Sequence, residues 1–446
     1  MGTSRRAILP TDRNTTRATG IGTGLLLAGG GECELMVPVS TARATAEAQA
    51  TRHAVNVGEL VLGPTERAYL QRVIESGRLS YGPFTKKFES AFAERHGCQF
   101  GCFCCSGSAA LQLAITALIE QRGWKPGDEV LVPSVTFVAT VNVVLQAGLK
   151  PILVDVRPDT YTMDPDLIER AITPRTRCLM PVHLLGLPAD MGPMVEIADK
   201  HRLAIIEDSC ETMFAEYQGR PVGSFGDVAC FSTYVAHFLV TGVGGLTTTN
   251  DPALARLIRS LMNHGRDGIY LSIDDDRRDA SNFHEVVDRR FRFERVGFSY
   301  RCTEMEAAIG LAQLESCDSI IQARRDNAAE FSRRLADLSD VLQIPVALDD
   351  RDHAHMVYGL VVKSGPMKPL VHFLEDRGIE TRDMLPLIHQ PVYREWLGPE
   401  VGERFPVANR LWDRAFYIGC HQHLDDADRD HVVSVIHEYF GGATKH

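Results

Sequence analysis

The sequence predicts an α/β protein of two domains, and two observations support this prediction. Short apolar or β-branched runs alternate with stretches in which apolar residues recur at helical spacing. Most of these runs are too continuous for a strand with one face in water, so we expect a sheet covered by helices on both faces. A chain of 446 residues is also long enough for two domains with substantial cores.

The predicted strands of the larger domain are short runs of β-branched or apolar residues. They are residues 129–133, 151–156, 177–185, 203–207, 228–232 and 245–249. Residues 1–52 lack this pattern and are rich in Thr, Ala, Gly and Arg, so we expect a poorly ordered N-terminal extension there. The larger domain is therefore predicted at residues 53–302.

The rest of the chain predicts a connecting helical segment and a smaller C-terminal domain at residues 303–446. Residues 303–338 carry apolar side chains at the spacing of one or two helices. They are followed by a predicted strand at 356–362 and by predicted helices at 369–377 and 426–440. This mixture of strands and helices again indicates an α/β unit.

Charge and composition exclude several classes of function. The net charge of −11 argues against general nucleic-acid binding, which depends on a basic face. No apolar run approaches the ~20 residues that cross a bilayer, and residues 20–31 are too rich in glycine for a secretion signal. Cys102 and Cys105 have CxxC spacing, but no second pair completes a zinc site. We therefore expect a cytoplasmic protein with reduced cysteines, no metal and no membrane partner.

A candidate anion site lies where Gly107 and Ser108 open a predicted helix at residues 109–120. Free N–H groups at a helix N-terminus bind anions, and a glycine lets an anion approach the backbone closely. The ordinary alternative is a serine that only caps the helix.

Two further candidates follow predicted strands. Phe137 comes shortly after the strand at 129–133 and offers a flat apolar face that suits a flat aromatic ligand, although it could equally be a core residue. Asp208 ends the strand at 203–207, where a buried carboxylate is costly unless it is paired. The alternative for Asp208 is a helix N-cap.

A single histidine, His237, stands between Ser232 and the pair Gly244-Gly245. Imidazole can move a proton near neutral pH, which makes His237 a candidate catalytic group. A lone histidine in an apolar stretch is more often structural, but its setting between a hydroxyl and a diglycine favours a functional role.

These segments, in this order from about residue 55 to 440, resemble the DegT/DnrJ/EryC1/StrS family of pyridoxal-phosphate (PLP) sugar aminotransferases. The resemblance implies an aspartate-aminotransferase-type fold (fold type I), with a mostly parallel sheet in the large domain and a smaller C-terminal α/β domain. It implies that Gly107, Ser108 and Ser232 bind the phosphate of PLP. It also implies that Phe137 stacks on the pyridine ring and that Asp208 pairs with the ring nitrogen.

The segment Val296–Glu304 resembles the family's Gly-Tyr-Asn-Tyr-Arg-x-Thr-Glu. In the family the asparagine reaches across a homodimer interface to the PLP phosphate of the partner. Here Ser299 stands at that place, and Val243 departs from the family's Gly-Glu-Gly-Gly. The resemblance therefore implies a homodimer with a weaker cross-subunit contact, because the serine is shorter and lacks the amide.

Position 237 sets the chain apart from most of the family, in which a lysine at this place forms the covalent link to PLP. Imidazole cannot form that stable link. The resemblance is therefore closest to a small branch, the sugar 3-dehydratases, which carry histidine there. Glu211, where aminotransferases commonly carry Gln, and the segment Phe416–Gly419, similar to Phe-Trp-Ile-Gly, are also typical of this branch.

The resemblance thus implies an enzyme that removes the C3 hydroxyl of a 4-keto-6-deoxy nucleotide sugar. Its cofactor would be pyridoxamine 5′-phosphate (PMP), the amine form of PLP, with glutamate as amino donor. The stretch from Asn263 to Phe298 has no cysteine, which argues against the branch with an iron–sulfur cluster. Two alternatives stay open: a nucleotide-sugar aminotransferase that tolerates His237, and a PLP-binding pseudoenzyme with a regulatory role. The sequence does not identify the nucleotide or the sugar.

Overall fold

The structure is a computed structural model that describes residues 55–384 and 386–443. The predicted extension at residues 1–52 lies outside the described residues. Residues Arg52–His446 belong to one compact unit. The domain boundary at residue 302 stays a prediction, although the described chain contains two separate larger sheets.

The larger sheet has seven strands and is mostly parallel, as the resemblance implied. Its strands, in chain order, are β1 (Phe100–Cys104), β2 (Glu129–Pro133), β3 (Lys150–Val154), β4 (Thr176–Leu179), β5 (Ala204–Asp208), β8 (Val228–Ser232) and β9 (Gly245–Thr249), and the intervening β6 (Glu216–Tyr217) and β7 (Arg220–Pro221) form a separate hairpin. The order across the sheet is β1-β9-β8-β5-β4-β2-β3. Only β9 runs antiparallel to both of its neighbours, β1 and β8.

Helices precede, separate or follow these strands. They are α1 (Pro64–Ser76), α2 (Pro83–Arg95), α3 (Gly107–Arg122), α4 (Val138–Gln146), α5 (Pro165–Ala171), α6 (Met191–His201), α7 (Pro252–Met262), a 3-10 turn (Ile273–Asp276) and α8 (Phe283–Arg289). The sheet is buried on both sides, because Val130 and Val132 of β2 join one apolar cluster while Leu131 between them joins another. This burial on both faces explains why a strand such as β2 is a nearly continuous apolar run in the sequence.

The second sheet has four strands in the order β10-β11-β13-β12, and all its pairs are antiparallel. Its strands are β10 (Leu342–Gln343), β11 (Val357–Val362), β12 (Thr381–Asp383) and β13 (Ala415–Gly419). The helices of this part of the chain are α9 (Glu304–Glu315), α10 (Cys317–Arg334), α11 (Lys368–Glu375), α12 (Pro391–Leu397), α13 (Val401–Arg404), α14 (Pro406–Leu411) and α15 (Asp426–Ala443), with 3-10 turns at Ala336–Leu338 and Leu387–His389.

Two details of the larger sheet differ from the sequence prediction. The strand predicted at 177–185 ends at Leu179, because Pro181 has no N–H to donate and the chain then turns at Leu184–Leu187. Strand β1 was not predicted at all, since its sequence Phe-Gly-Cys-Phe-Cys lacks the β-branched residues that signal a strand.

An N-terminal segment, Val55–Gly58, connects distant parts of the described chain, and we call it the strap. The N–H of Val55 donates to the Gly378 carbonyl at 3.0 Å, and the N–H of Val57 donates to the Glu380 carboxylate at 2.7 Å. At Gly58 a Cβ atom would lie 2.7 Å from the carbonyl oxygen of Val235, so the strap passes directly against the loop that carries His237.

Candidate active site

The N-terminus of α3 forms one wall of the candidate site. Ser106 is the cap, and its hydroxyl accepts the N–H of Ala109 at 3.0 Å. A Cβ atom on Gly107 would lie 2.7 Å from the Ser232 Cβ and 2.9 Å from the Cys210 sulfur. Gly107, Cys210 and Ser232 therefore meet in a small cup, which any larger residue at position 107 would fill. The cap is Ser106, so Ser108 is free of that role.

Phe137 and Ser108 line the same cleft, which has a volume of about 270 Å³ and is also bordered by Tyr300. Phe137 directly precedes α4, and its side chain is 53% exposed. The core alternative for Phe137 is therefore wrong, because a core residue would be buried. One face of its ring is accessible to a ligand in this part of the molecule.

Asp208 is buried at the carboxyl end of β5 and is 3% exposed. Its carboxylate accepts the Thr140 hydroxyl at 2.8 Å and the N–H of Cys210 at 3.2 Å. The helix-cap alternative is wrong, since the next element after β5 is the short strand β6. Burial raises the pKa of Asp208, because neither of these neutral donors replaces the water that would solvate a carboxylate.

His237 lies in the loop between β8 and β9, beside the cup. The backbone of Cys210 hydrogen-bonds the imidazole, while Nδ1 is buried without a hydrogen-bond partner among the described residues. Burial, helped by the positive charge of Arg324, lowers the pKa of His237 to about 4. The ring is therefore neutral at pH 7 and can accept a proton there.

Glu211 is the residue after Cys210, and its side chain contacts the segment that follows β4. Its carboxylate accepts the N–H of Leu185 at 3.0 Å. Burial, with a smaller contribution from the nearby charge of Asp208, raises the pKa of Glu211 to about 7. The acid is thus half-protonated near neutral pH, which a glutamine at this position could not be.

Ser299 is exposed and is not brought to the cup of its own chain. Its hydroxyl accepts from the Arg301 guanidinium at 3.3 Å, and no hydrogen bond between residues 55–384 joins it to the cup. Val243, the other departure from the family pattern, is 53% exposed. The contact of Ser299 with a partner subunit stays a prediction.

Residues 61–437 match the DegT/DnrJ/EryC1/StrS aminotransferase family. The chain belongs to this family. Its members depend on PLP or PMP, and the seven-stranded sheet with its flanking helices is the fold type I architecture of PLP aminotransferases.

Several members of the family are similar along most of the chain. A GDP-perosamine synthase of Caulobacter vibrioides is 35% identical over 388 residues, which cover 86% of this chain and 97% of that protein. A dTDP-4-dehydro-2,6-dideoxy-D-glucose 3-dehydratase of Saccharopolyspora spinosa is 32% identical and covers 85% of each chain. The structure of Escherichia coli GDP-4-keto-6-deoxy-D-mannose-3-dehydratase with bound hydrated PLP superposes with a TM-score of 0.74 at 25% identity, covering 86% of this chain and 99% of that one.

The residues present fit the cofactor of the family. The cup at Gly107 has no room for a Cβ but is open at a helix N-terminus, which suits a phosphate. The buried carboxylate of Asp208 accepts only from neutral donors and suits a protonated ring nitrogen. The half-exposed ring of Phe137 suits the face of a pyridine.

Three residues of this site were missed by the sequence reasoning. Thr140 lies three residues after Phe137 on the first turn of α4, and this spacing could have placed both near Asp208. Cys210 lies between two predicted site residues but carries no charge that would have drawn attention to it. Arg324 lies 87 residues after His237 in the chain, and no motif in the sequence marks it as a site residue.

Within residues 55–384 and 386–443, no group of three or more His, Cys, Asp or Glu side chains could hold a metal ion. The same residues contain no helix that is both long and apolar enough to cross a membrane.

We predict that Glu211→Gln makes folding stability less dependent on pH. The pKa of Glu211 is raised from 4.5 to about 7, so the folded protein holds this proton more tightly than the unfolded chain does. The folded state therefore loses stability as pH rises from 4.5 to about 7. Between these two pH values the free energy of unfolding should fall by about 1–2 kcal/mol less in the variant than in the natural chain, after a discount for partial exposure. Denaturant unfolding of the cofactor-free protein at both ends of this range measures it.

Glu216→Gln is the matched control, because Glu216 is an exposed acid on β6. It should leave the pH dependence as in the natural chain. An identical pH dependence in Glu211→Gln and in the natural chain would contradict the prediction.

Proposed function

We propose that this protein is a nucleotide-sugar 3-dehydratase that uses PMP to remove the C3 hydroxyl of a 4-keto-6-deoxy sugar. The observation that carries the proposal is His237, which stands where most of the family has the cofactor lysine and lies beside the cup through Cys210. No lysine of the described chain forms a hydrogen bond or ion pair with a residue of the cup or with Asp208.

When bound, PMP supplies an amine that condenses with the 4-keto carbon and a ring that carries electrons toward the C3–O bond. The N–H groups of Gly107 and Ser108 and the hydroxyl of Ser232 hold its phosphate. Asp208 keeps the ring nitrogen protonated, because a buried carboxylate is stabilised by a cation beside it. Phe137 covers one face of the ring.

His237 takes a proton from the C4′ carbon of the cofactor in this proposal. The imidazole is neutral at pH 7 and has a free lone pair for this proton, although its low pKa makes it a weaker base than an exposed histidine. Because imidazole makes no stable covalent link to the cofactor, His237 does not compete for it during the reaction. Deoxygenation can then proceed where a lysine would favour release of an amino sugar.

The proposal includes two features of the assembled enzyme. Glutamate serves as the amino donor that regenerates PMP. Two copies of the chain form a homodimer in which Ser299 of one protomer reaches the phosphate of its partner. The exposure of Ser299, which makes no hydrogen bond to the cup of its own chain among the described residues, supports this arrangement.

A nucleotide-sugar aminotransferase is the second candidate, and the similarity to the GDP-perosamine synthase favours it. The two functions give products of different mass. The test supplies GDP-, CDP- and dTDP-linked 4-keto-6-deoxy sugars with PMP and glutamate, and identifies the products by mass spectrometry. Release of only a 4-amino sugar would replace the dehydratase with the aminotransferase. Binding of PLP without turnover of any of these sugars would favour a pseudoenzyme.

We also predict that PLP binds without a covalent link to the protein. Borohydride treatment of the PLP-loaded enzyme should leave no pyridoxyl adduct, because His237 offers no primary amine. Mass spectrometry of the intact chain and of its peptides measures the adduct. His237→Lys is the positive control and should acquire one adduct at position 237. A reduced adduct on a lysine of the natural chain would contradict the prediction.

A further inference from the structure

Arg324 of α10 is a buried cation that pairs with no carboxylate among the residues that the structure describes. Its side chain is 1% exposed, and its guanidinium stacks 5.0 Å from the centre of the Phe238 ring. Burial lowers the pKa of Arg324 to about 10, although the group stays charged at pH 7. A buried charge without a counter-charge is costly to the fold, so its retention calls for a functional explanation.

The guanidinium donates to three oxygens from separate parts of the chain. It reaches the His237 carbonyl at 3.0 Å, the Met356 carbonyl at 2.6 Å and the Gln422 side-chain oxygen at 3.1 Å. Met356 precedes β11, and Gln422 follows β13. The planar fork of an arginine can hold such divergent acceptors at fixed angles, which a lysine cannot. Arg324 thus ties the His237 loop to one end of the two inner strands of the second sheet, β11 and β13.

The His237 loop is also held at other points: Phe238 and Leu239 are buried in the core, and hydrogen bonds fix the backbone on either side of them. Within the loop, the backbone N–H of His237 donates to the Tyr234 carbonyl at 2.9 Å. At its far end, Gln313 of α9 bonds both backbone groups of Val240, at 2.7 and 2.8 Å. The Tyr234 bond holds the N–H of His237 from within the loop, whereas the Arg324 bond holds its carbonyl from outside the loop.

We propose that Arg324 is a positioning residue for His237: it anchors the carbonyl of His237 and so holds the imidazole against Cys210 beside the cup. This inference rests on the proposed role of His237 as the group that moves a proton. A displacement of about 1 Å in such a group can lower turnover roughly 100-fold without loss of binding. Arg324 itself touches neither cofactor nor substrate.

The charge of Arg324 has a second effect on the same ring. The groups that face the imidazole are the Tyr234 ring at 6.4 Å, the backbone of Cys210 and the Arg324 guanidinium. Of these, only Arg324 carries a charge, and a nearby positive charge disfavours a protonated imidazole. Removing it should raise the pKa of His237 as well as loosen its loop.

The test compares Arg324→Met and Arg324→Lys with Arg325→Met as the matched control. Arg325 is the next residue of α10, but it pairs with Asp352 at 3.1 Å and bonds the His353 carbonyl. For Arg324→Met we expect a fall in kcat of about 100-fold or more, with KM and the Kd for PMP unchanged within about threefold. Arg324→Lys should recover part of this loss, and Arg325→Met should behave as the natural enzyme.

A second measurement separates this inference from the proposed function. Histidine NMR on the cofactor-free protein, with the His237 signal assigned from His237→Asn, gives the pKa of the imidazole. Arg324→Met should raise it, Arg324→Lys should shift it less, and Arg325→Met should leave it unchanged.

Three outcomes decide the inference. A folded Arg324→Met variant with natural kcat and an unshifted His237 pKa would overturn it. If Arg324→Met does not fold, Arg324→Lys decides, and natural kcat in that variant would overturn the inference equally. If the natural enzyme turns over no 4-keto sugar, the proposed function fails, and the NMR titration alone decides the role of Arg324.

Discussion

His237→Asn is expected to stop C3 deoxygenation while leaving the cofactor bound. The amide has about the size and polarity of imidazole but cannot act as a base near neutral pH, so turnover should fall by about 100- to 10,000-fold. Affinity for PMP should stay within a few-fold, because Gly107, Ser232 and Asp208 are unchanged. Product mass and solvent-deuterium incorporation with a 4-keto sugar and PMP measure the first effect, and fluorescence titration with PMP measures the second.

His237→Lys provides the complementary variant. A lysine at this position can both bind PLP covalently and return a proton to C4 of the sugar, so products should shift toward the 4-amino sugar. Undiminished deoxygenation in His237→Asn would show that another group moves the proton. An unchanged product in His237→Lys would show that residue 237 does not decide the reaction.

Asp208→Ala should produce the second large effect, on cofactor binding. A buried carboxylate that loses its cationic partner, or a cation that loses its carboxylate, commonly costs about 3–5 kcal/mol. We therefore expect turnover to be abolished and the affinity for PMP to fall by two orders of magnitude or more. Calorimetric titration with PMP, alongside unfolding of the cofactor-free protein, measures the loss.

Thr140→Val is the matched control for Asp208. It removes the hydroxyl that donates to Asp208 at 2.8 Å but keeps the carboxylate, so the loss of PMP affinity should be smaller. The cofactor-free Asp208→Ala variant should fold, because the natural carboxylate is disfavoured by its own burial. Near-natural PMP affinity in folded Asp208→Ala would show that the acid has only a structural role.

The parts of the fold that could be predicted from the sequence are those whose local pattern follows from burial. Strands β2, β8 and β9 have the predicted bounds, because runs of apolar residues in β2 and β8 and of β-branched threonines in β9 favour a buried strand. Strand β1 could not be predicted, since its identity as a strand comes from its antiparallel partner β9, about 145 residues later in the chain.

The residues of the candidate site also differ in how far the sequence alone could predict them. Gly107 could be predicted because it lies at a helix start, where free N–H groups bind anions. Asp208 could be predicted because it lies at the end of a buried strand, where a carboxylate is costly unless it has a partner. The pKa values of the site residues could not be predicted from the sequence. The pKa of His237 depends on its burial and on Arg324, whose donor and the His237 carbonyl are 87 residues apart in the chain. In the sequence, Arg324 is one charged residue in a polar helix, and nothing local distinguishes it from Arg325.

The strap has a consequence for the order in which the protein matures. Its residues are synthesised well before their partners, because Val57 and Glu380 are separated by 323 positions. Contacts of such long sequence separation form late, because a large loop must close first. The strap also covers the backbone at Val235, two residues before His237. The nascent chain can therefore complete its larger sheet while the His237 loop is still uncovered, and the strap docks on this loop only after synthesis has passed residue 380.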